Sequence, residues 1–156
     1  MTDIAIHRVD LADAGELLTL QRACYVSEAQ LYKDCFLPPL TQTFDELRAE
    51  LNQSFALKAV GGGRIIGSAR AGRDGTVWRI GRVAVAPDAQ GRGIGTQLLA
   101  ELERQAPAGI ERFALFTGHL SVANIRLYER LGYRESRREP LADGVELVHL
   151  EKAAGV

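Results

Sequence analysis

Apolar and polar residues alternate in the first half of the chain with the period of half-buried β-strands. The alternation runs over residues 4–9 and returns over residues 55–60 and 64–70, on either side of three consecutive glycines at 61–63. Because glycine readily adopts the backbone conformations of tight turns, the last two segments are predicted to form a hairpin. A longer apolar segment over residues 76–85 is predicted to be the central strand.

Capping residues and helical spacing predict the elements between these strands. Asp10 or Asp13 is predicted to begin the first helix, and Thr43 followed by Glu46 is the sequence of a capping box before a second, short helix. Residues 37–40 read Leu-Pro-Pro-Leu. This segment is predicted to be non-helical, because each proline removes a backbone donor and restricts the residue before it.

Strands and helices alternate in the second half of the chain. The predicted elements are a helix over 93–105, a strand over 112–117, a helix over 121–131 and a last strand near 145–150. This order predicts a mixed α/β fold in which one sheet carries helices on both faces. Neither a linker nor a repeat divides the chain, so residues 1–156 are predicted to form a single domain.

Composition excludes several classes of partner. The net charge is −1, from 19 basic and 20 acidic residues, so no basic field for nucleic acid is expected. The start of the chain lacks the pattern of a signal peptide and no segment is apolar enough to span a membrane, so we expect a cytoplasmic protein. Cys24 and Cys35 are expected to be free thiols, and the three scattered histidines do not predict a metal site.

The most specific motif lies at the end of the central strand. Residues 83–96 read Val-Ala-Val-Ala-Pro-Asp-Ala-Gln-Gly-Arg-Gly-Ile-Gly-Thr, directly before a segment with helical spacing. Glycines let the backbone approach a bulky anion, and the N–H groups of a helix's first turn favour phosphate. The spacing does not fit a Walker loop, which needs Gly-Lys-Ser/Thr, or a dinucleotide fingerprint, which needs glycine where Thr96 stands.

The apolar positions of the central strand change phase within it. Trp78 and Ile80 are even positions, whereas Val83 and Val85 are odd ones, so a regular strand could not place them on one face. One extra residue at 81–82 would restore a common face, which predicts a β-bulge. The alternative is a strand that is buried on both faces.

A second motif lies on the helix predicted over 121–131, for which Ser121 is the predicted N-cap. Asn124 and Tyr128 are four residues apart, so they lie one above the other on the same helix face. The spacing alone also allows Tyr128 to be a core aromatic side chain, as Tyr133 is expected to be.

The two motifs together resemble the GCN5-related N-acetyltransferases. The similarity rests on a Gln-x-x-Gly-x-Gly loop after a Val-x-Val-x-Pro strand, and on the segment Asn-Ile-Arg-Leu-Tyr-Glu-Arg-Leu-Gly-Tyr. It implies a single-domain acyl-CoA N-acyltransferase fold, with a mostly antiparallel central sheet and two splayed central strands. It also implies acetyl-CoA as co-substrate, with no metal. The implied cofactor-binding residues are Val83, Ala84, Val85, Gln90, Gly91, Arg92, Gly93, Ile94, Gly95, Thr96 and Asn124.

The resemblance further implies direct attack of a primary amine on the thioester. Neither cysteine lies near the glycine loop in sequence, which disfavours an acyl-enzyme route. Tyr128 would protonate the departing thiolate, and the bulge would turn backbone N–H groups toward the thioester carbonyl. Many family members carry a glutamate on the central strand as general base, but residues 78–82 contain none. His119, at the mouth of the predicted strand 112–117, is therefore the first candidate for the base because its unperturbed pKa is near 6.5. Glu28 is the second candidate, and a proton relay through ordered water is the alternative to both.

The acceptor is expected to be a small-molecule amine, with a protein amine as the second choice. Residues 24–42 would shape its pocket, and Glu28 and Tyr32 are the predicted substrate-binding residues. A homodimer is expected on family analogy alone. The alternative to an enzyme is a non-catalytic acyl-CoA-binding sensor or interaction module with the same fold. Asn124 and Tyr128 argue against that alternative, and the missing strand glutamate argues for it.

Overall fold

The computed structural model describes residues 3–141 and 144–155. Residues 1, 2 and 156, at the ends of the predicted domain, and residues 142 and 143 lie outside this description. The described strands form one seven-stranded sheet. In chain order they are β1 Ala5–Arg8, β2 Phe55–Gly61, β3 Arg64–Asp74, β4 Val77–Val85, β5 Arg112–Gly118, β6 Arg134–Pro140 and β7 Glu146–Ala153. The α-helices are α1 Ala14–Tyr32, α2 Pro38–Thr41, α3 Phe44–Gln53, α4 Ile94–Arg104 and α5 Val122–Arg130.

The strands lie in the order β1-β2-β3-β4-β5-β7-β6, and every neighbouring pair is antiparallel except β4 and β5. The parallel pairing of β4 with β5 is short, because it joins Val77, Trp78 and Arg79 to Arg112, Phe113 and Ala114 and then ends. From that point the two strands diverge. The mostly antiparallel sheet and the splayed central pair are thus as predicted.

A bulge in β4 confirms the predicted change of phase. Between β3 and β4, Ser68 pairs with Ala84 and Arg70 with Gly81, so β4 has one residue more than β3 across this interval. Arg82, inside the bulge, has φ 52°, in the left-handed region that non-glycine residues seldom adopt. The register places Ile80 opposite Ala71 and Val85 opposite Gly67, which share a face of β3.

Helices cover both faces of the sheet, as predicted. Helix α4 packs on the face that carries Gly67, where a Cβ atom would come within 2.8 Å of Ile94 Cγ2, so only glycine allows this close approach. On the other face, Arg70 of β3 contacts α1 and α3 through Gln21 and Glu50. The close contact of α4 with β3 fixes the position of the helix that follows the glycine loop.

Capping residues behave largely as the sequence indicates. Asp10 and Asp13 form a capping box at a short 3₁₀ helix, Leu11–Asp13, which leads directly into α1. Thr43 and Glu46 form the predicted box at the start of α3. Ser121 stands at the N-cap position of α5, but its side chain makes no capping hydrogen bond. It donates to Glu28 instead.

Two predictions of secondary structure are wrong. Pro38 begins the short helix α2, because proline is tolerated in the first turn of a helix, where no intrahelical N–H donor is needed. Strand β6 has no counterpart among the predicted elements. Its sequence, Arg-Glu-Ser-Arg-Arg-Glu-Pro, lacks apolar alternation because it is an exposed edge strand that pairs only with β7.

None of the helices in the described residues combines the length and the hydrophobicity that crossing a bilayer requires.

Candidate active site

The divergence of β4 from β5 opens a cleft with two halves. The wide half has a volume of about 1010 Å³ and lies between the diverging strands and the segment from α1 to α2. The narrow half has a volume of about 420 Å³ and lies beside the glycine loop. The residues that line both halves are Tyr25, Glu28, Val83, Asn124 and Tyr128. These shared residues mark the junction at which two bound molecules would meet.

The glycine loop forms one wall of the narrow half. Gly91 and Gly93 have φ values of 80° and 76°, which side chains rarely allow, and a Cβ atom at either position would meet nothing within 4 Å. Gly93 is the N-cap residue of α4 and has no side chain to occupy the first N–H groups of that helix. These N–H groups are therefore free to bind an anion, as the motif predicts.

The structure places all but one of the predicted cofactor-binding residues along the narrow half. They are Val83, Ala84, Val85, Gln90, Gly91, Gly93, Ile94, Gly95, Thr96 and Asn124. Arg92 is exposed and does not line it. Beyond Arg79, β4 has no ladder with β5, so its backbone is open to an extended ligand on that side.

Helices α1 and α5 complete the narrow half with residues that sequence analysis did not identify. Ala123, Leu127 and Arg130 come from α5, and Arg130 adds a cationic side chain at its last turn. Tyr25 of α1 lines both halves. Its signal was present in the sequence, because Tyr25, Glu28 and Tyr32 follow the three- and four-residue spacing of one helix face.

Tyr128 lies buried at the junction of the two halves. Burial raises the pKa of its phenol, and the nearby Tyr25 and Glu28 raise it further. The hydroxyl therefore keeps its proton at neutral pH. The Tyr128 hydroxyl has no hydrogen-bond partner among the described residues, so its O–H is available to a bound molecule. Tyr133 packs in the core, as predicted, and its hydroxyl donates to Glu103.

Glu28 is held at the junction by a directed chain of hydrogen bonds. Ser121 Oγ donates to Glu28 Oε2 at 2.7 Å, and Asn124 Nδ2 donates to Glu28 Oε1 at 3.4 Å. Tyr32 Oη lies 2.7 Å from Ser121 Oγ. Because the only proton of Ser121 goes to Glu28, the Tyr32 hydroxyl donates to Ser121. The backbone N–H of Leu120 donates to Tyr32 Oη at 3.1 Å and completes the chain.

Gly118 makes room for the Tyr32 phenol. A Cβ atom at position 118 would overlap the phenol ring and its hydroxyl, so a larger residue there would displace Tyr32. Both Tyr32 and Gly118 line the wide half of the cleft. Desolvation raises the pKa of Tyr32, which keeps it a hydrogen-bond donor at neutral pH.

His119 does not reach the cleft. It lines neither half, and its Nδ1 atom accepts a hydrogen bond from the backbone N–H of Glu146 at 2.9 Å. The lone pair of Nδ1 is thus used to join the end of β5 to the start of β7. Of the two side chains predicted as general bases, the structure brings only Glu28 next to Tyr128.

Comparison with known proteins agrees with this geometry. The sequence model of the acetyltransferase (GNAT) family matches residues 18–133. The chain belongs to the acetyltransferase (GNAT) family. Acetyl transfer is therefore the general activity of this enzyme, and both motifs lie within the matched residues. No curated protein shows significant sequence similarity to this chain.

Solved structures share its fold over nearly their whole length. The ribosomal-protein-S18-alanine N-acetyltransferase from Escherichia coli has a TM-score of 0.78 at 18% identity, covering 99% of this chain and 96% of that one. The PaiA N-acetyltransferase from Thermoplasma acidophilum, in complex with coenzyme A, has a TM-score of 0.78 at 17% identity, with coverages of 97% and 99%. The yncA structure from Salmonella typhimurium, with its cofactor acetyl-CoA, has a TM-score of 0.78 at 19% identity, with coverages of 99% and 95%.

A cysteine also lines the narrow half of the acetyltransferase cleft. Cys24 is distant from the glycine loop in sequence, but helix α1 brings it to the same half of the cleft. Burial raises the pKa of its thiol to about 11. The thiol is therefore protonated at neutral pH and is a poor nucleophile, because the thiolate is the reactive form. Among the described residues, no group of three or more His, Cys, Asp or Glu side chains is placed to hold a metal ion.

Replacing Gly93 by Glu is expected to abolish acetyl-CoA binding, because the substitution places a carboxylate at the N-terminus of α4. The control is Gly63→Glu in the β2–β3 turn, where φ is also 76° and a Cβ atom likewise meets nothing within 4 Å. The control carries the same added charge and the same backbone strain but lies away from the cleft. Isothermal titration should therefore show binding to Gly63→Glu and none to Gly93→Glu. Equal affinities would show that the anion site is elsewhere.

Proposed function

We propose that this enzyme transfers the acetyl group of acetyl-CoA to the primary amine of a small molecule by direct attack of the amine. The observation that carries the proposal is the meeting of the two halves of the cleft at Glu28 and Tyr128. A carboxylate that accepts protons and a phenol that donates one are the two groups that this reaction needs. They lie where the two bound molecules would meet.

The narrow half suits the co-substrate. Free N–H groups at the start of α4 suit a pyrophosphate, and the unpaired side of β4 suits the amide-bearing arm, which could pair with backbone at Val83 and Val85. The co-substrate supplies an activated thioester. Asn124 lines the same half, but it also donates to Glu28, so its side chain connects cofactor binding to the proposed base.

Glu28 is the proposed general base. A primary ammonium has a pKa of about 10.4, so only about one amine in 2,500 is neutral at pH 7. An acceptor in the wide half can give this proton to Glu28, either directly or through one water. The hydrogen bonds from Ser121 and Asn124 hold the carboxylate toward the junction. His119 lines neither half of the cleft and is not part of this proposal.

Tyr128 is the proposed general acid. The amine nitrogen forms a bond to the acetyl carbon, the carbon–sulfur bond breaks, and the sulfur leaves with the electron pair. The Tyr128 hydroxyl can donate its proton to that sulfur. Glu28 holds the first proton of the ammonium, and the second proton, which the nitrogen loses as the amide forms, can return to the Tyr128 oxygen directly or through one water. Burial and the neighbouring Glu28 raise the pKa of Tyr128, so the group is protonated before the reaction begins. The high pKa of Cys24 supports direct attack over an acyl-enzyme route.

The size of the wide half supports a small-molecule acceptor. A volume of about 1010 Å³ is at the upper end of the range for small-ligand sites. A protein amine is the second candidate, because a structural neighbour is a ribosomal-protein-S18-alanine N-acetyltransferase. We also propose a homodimer, on family analogy alone.

The direct test of the function is CoA thiol release from acetyl-CoA over a panel of small amines and amine-terminated peptides. We expect release with at least one small amine at a rate well above hydrolysis, and mass spectrometry should find the acetylated amine. Turnover of peptides alone would make the acceptor a protein. Acetyl-CoA binding without turnover of any amine would favour the non-catalytic sensor.

Replacing Glu28 by Gln is expected to lower kcat by about 10²–10⁴-fold, because the amide cannot take the amine's proton. The variant should regain rate as the pH rises toward the pKa of the acceptor amine. A larger fraction of the amine is then already neutral, so no general base is needed to deprotonate it. Glu129→Gln, on the exposed face of α5, is the matched control and should leave the rate unchanged. A Glu28→Gln variant with wild-type single-turnover rates at pH 7 would remove Glu28 from the mechanism.

Replacing Tyr128 by Phe is expected to lower kcat within or somewhat below the same range of about 10²–10⁴-fold, with the affinity for acetyl-CoA preserved. The ring still packs in the core, so only the hydroxyl is lost. Tyr133→Phe is the control, because it also removes a buried phenolic hydroxyl but leaves the cleft unchanged. Single-turnover measurements avoid a product-release limit. Equal single-turnover rates for Tyr128→Phe and wild type would make Tyr128 a packing residue.

A further inference from the structure

Arg82 occupies an unusual position in the wide half of the cleft. It lies in the β4 bulge with φ 52°, a conformation that glycine adopts more easily than arginine does. Arg82 and Gly81 line the wide half and not the narrow half, so they face the acceptor side of the junction. The bulge thus presents a guanidinium group to the acceptor rather than to the co-substrate.

The charge of Arg82 is not neutralised by the described residues. No described carboxylate lies within 4.0 Å of its guanidinium group, in contrast to Arg79 on the same strand, which pairs with Asp74 at 2.8 Å. Arg82 is half-buried. Burial raises the pKa of Tyr25 and lowers the pKa of Arg70; the charge of Arg82 opposes the first shift and adds to the second, so Arg82 lies near both side chains.

A second guanidinium group, that of Arg70, lies near Arg82, although Arg70 itself does not line the cleft. It is only 6% exposed, and its Nη2 atom has no hydrogen-bond partner among the described residues. The nearest carboxylate is Glu50, at 3.4 Å from Nη2. A buried cation with an unused donor has lost its hydration without full replacement, which is unfavourable unless a negative group comes near. Of these two arginines, only Arg70 pairs with a described carboxylate.

The remaining charged residues of the wide half are Glu28, Lys33 and Asp34. Lys33 and Asp34 are exposed, so solvent screens their charges. The half-buried charges of the wide half are Glu28 at the junction and Arg82 and Glu50 in one corner, where Glu50 pairs with the buried Arg70. The two guanidinium groups and one carboxylate leave the corner with a net positive charge. A cationic amine suits the first site, and an anion suits the second. Arginine's planar fork matches carboxylate and phosphate oxygens in particular.

We propose that the acceptor is an amine that also carries an anionic group, a carboxylate or a phosphate, which pairs with Arg82 while the amine faces Glu28. This inference rests on the proposed function, because it names the substrate class of the same cleft. It makes Arg82 a specificity-determining residue. It also accounts for a guanidinium group on the bulge that pairs with no carboxylate among the described residues.

The test compares matched amines. Straight-chain ω-amino carboxylates and the plain alkylamines of the same carbon number form one set, and phosphoethanolamine and ethanolamine form the other. Each set is assayed with wild type, Arg82→Gln and Arg82→Gly. The glycine variant suits the left-handed backbone and guards against misfolding. Arg79→Gln is the matched control on the same strand.

Wild type is expected to prefer the anionic member of at least one set by kcat/KM. Both Arg82 variants should lose about 10- to 100-fold in kcat/KM for that member, the usual effect of losing a charged hydrogen bond. Plain amines should change by no more than about threefold, because no direct contact is lost. Arg79→Gln should leave both members unchanged. The set that responds identifies the anion as carboxylate or phosphate.

Equal kcat/KM losses for charged and plain amines, or no preference in wild type, would overturn the proposal while leaving acetyl transfer intact.

If no amine releases CoA thiol, the proposed function fails, and the anion site is then tested by binding alone. Isothermal titration of 4-aminobutyrate and phosphoethanolamine should show binding to wild type that weakens about 10-fold or more in Arg82→Gly. Equal or absent binding in both proteins would overturn the anion site as well.

Discussion

The early end of the β4–β5 ladder is the constraint on which the rest of the site depends. A parallel pair that continued beyond Arg79 would occupy the backbone groups of β4 and close the sheet. The bulge at Arg82 shifts the phase of β4 and coincides with the divergence of the strands. Because every other neighbouring pair is antiparallel and extensive, the sheet keeps its integrity while it opens at this one place. The cleft is therefore a consequence of strand geometry rather than of a long loop.

Glu28 influences the protonation of Tyr128 at the junction. Burial raises the pKa of Tyr128, and the negative charge of Glu28 acts in the same direction. A carboxylate that is ready to accept a proton thus stabilises the protonated phenol nearby. One arrangement supports both halves of an acid–base reaction, with the carboxylate fixed by Ser121 and Asn124. Ser121 contributes to the site instead of capping its helix, so local helix stability is given up for the position of Glu28.

Several features were predictable from the sequence because they depend on local patterns. The glycine loop before α4, the hairpin around residues 61–63, the capping box at Thr43 and the phase change in β4 each follow from neighbouring residues. The sequence also indicated Glu28 and Tyr128, on two separate helices. Strand β6 could not be predicted, since an exposed edge strand needs no apolar alternation and is held by pairing with β7.

What the sequence determined by itself is therefore the fold family and the glycine loop before α4, because backbone conformation and helix start are local properties of the chain. The tertiary structure decided which groups meet. Helix α1 lies far from α5 in sequence, yet it brings Glu28 to Ser121 and Cys24 to the glycine loop, whereas His119 is turned away toward β7. The sequence likewise could not predict which charged groups lie near Arg82. Charge pairing depends on distances between strands and helices, and only the packed molecule fixes them.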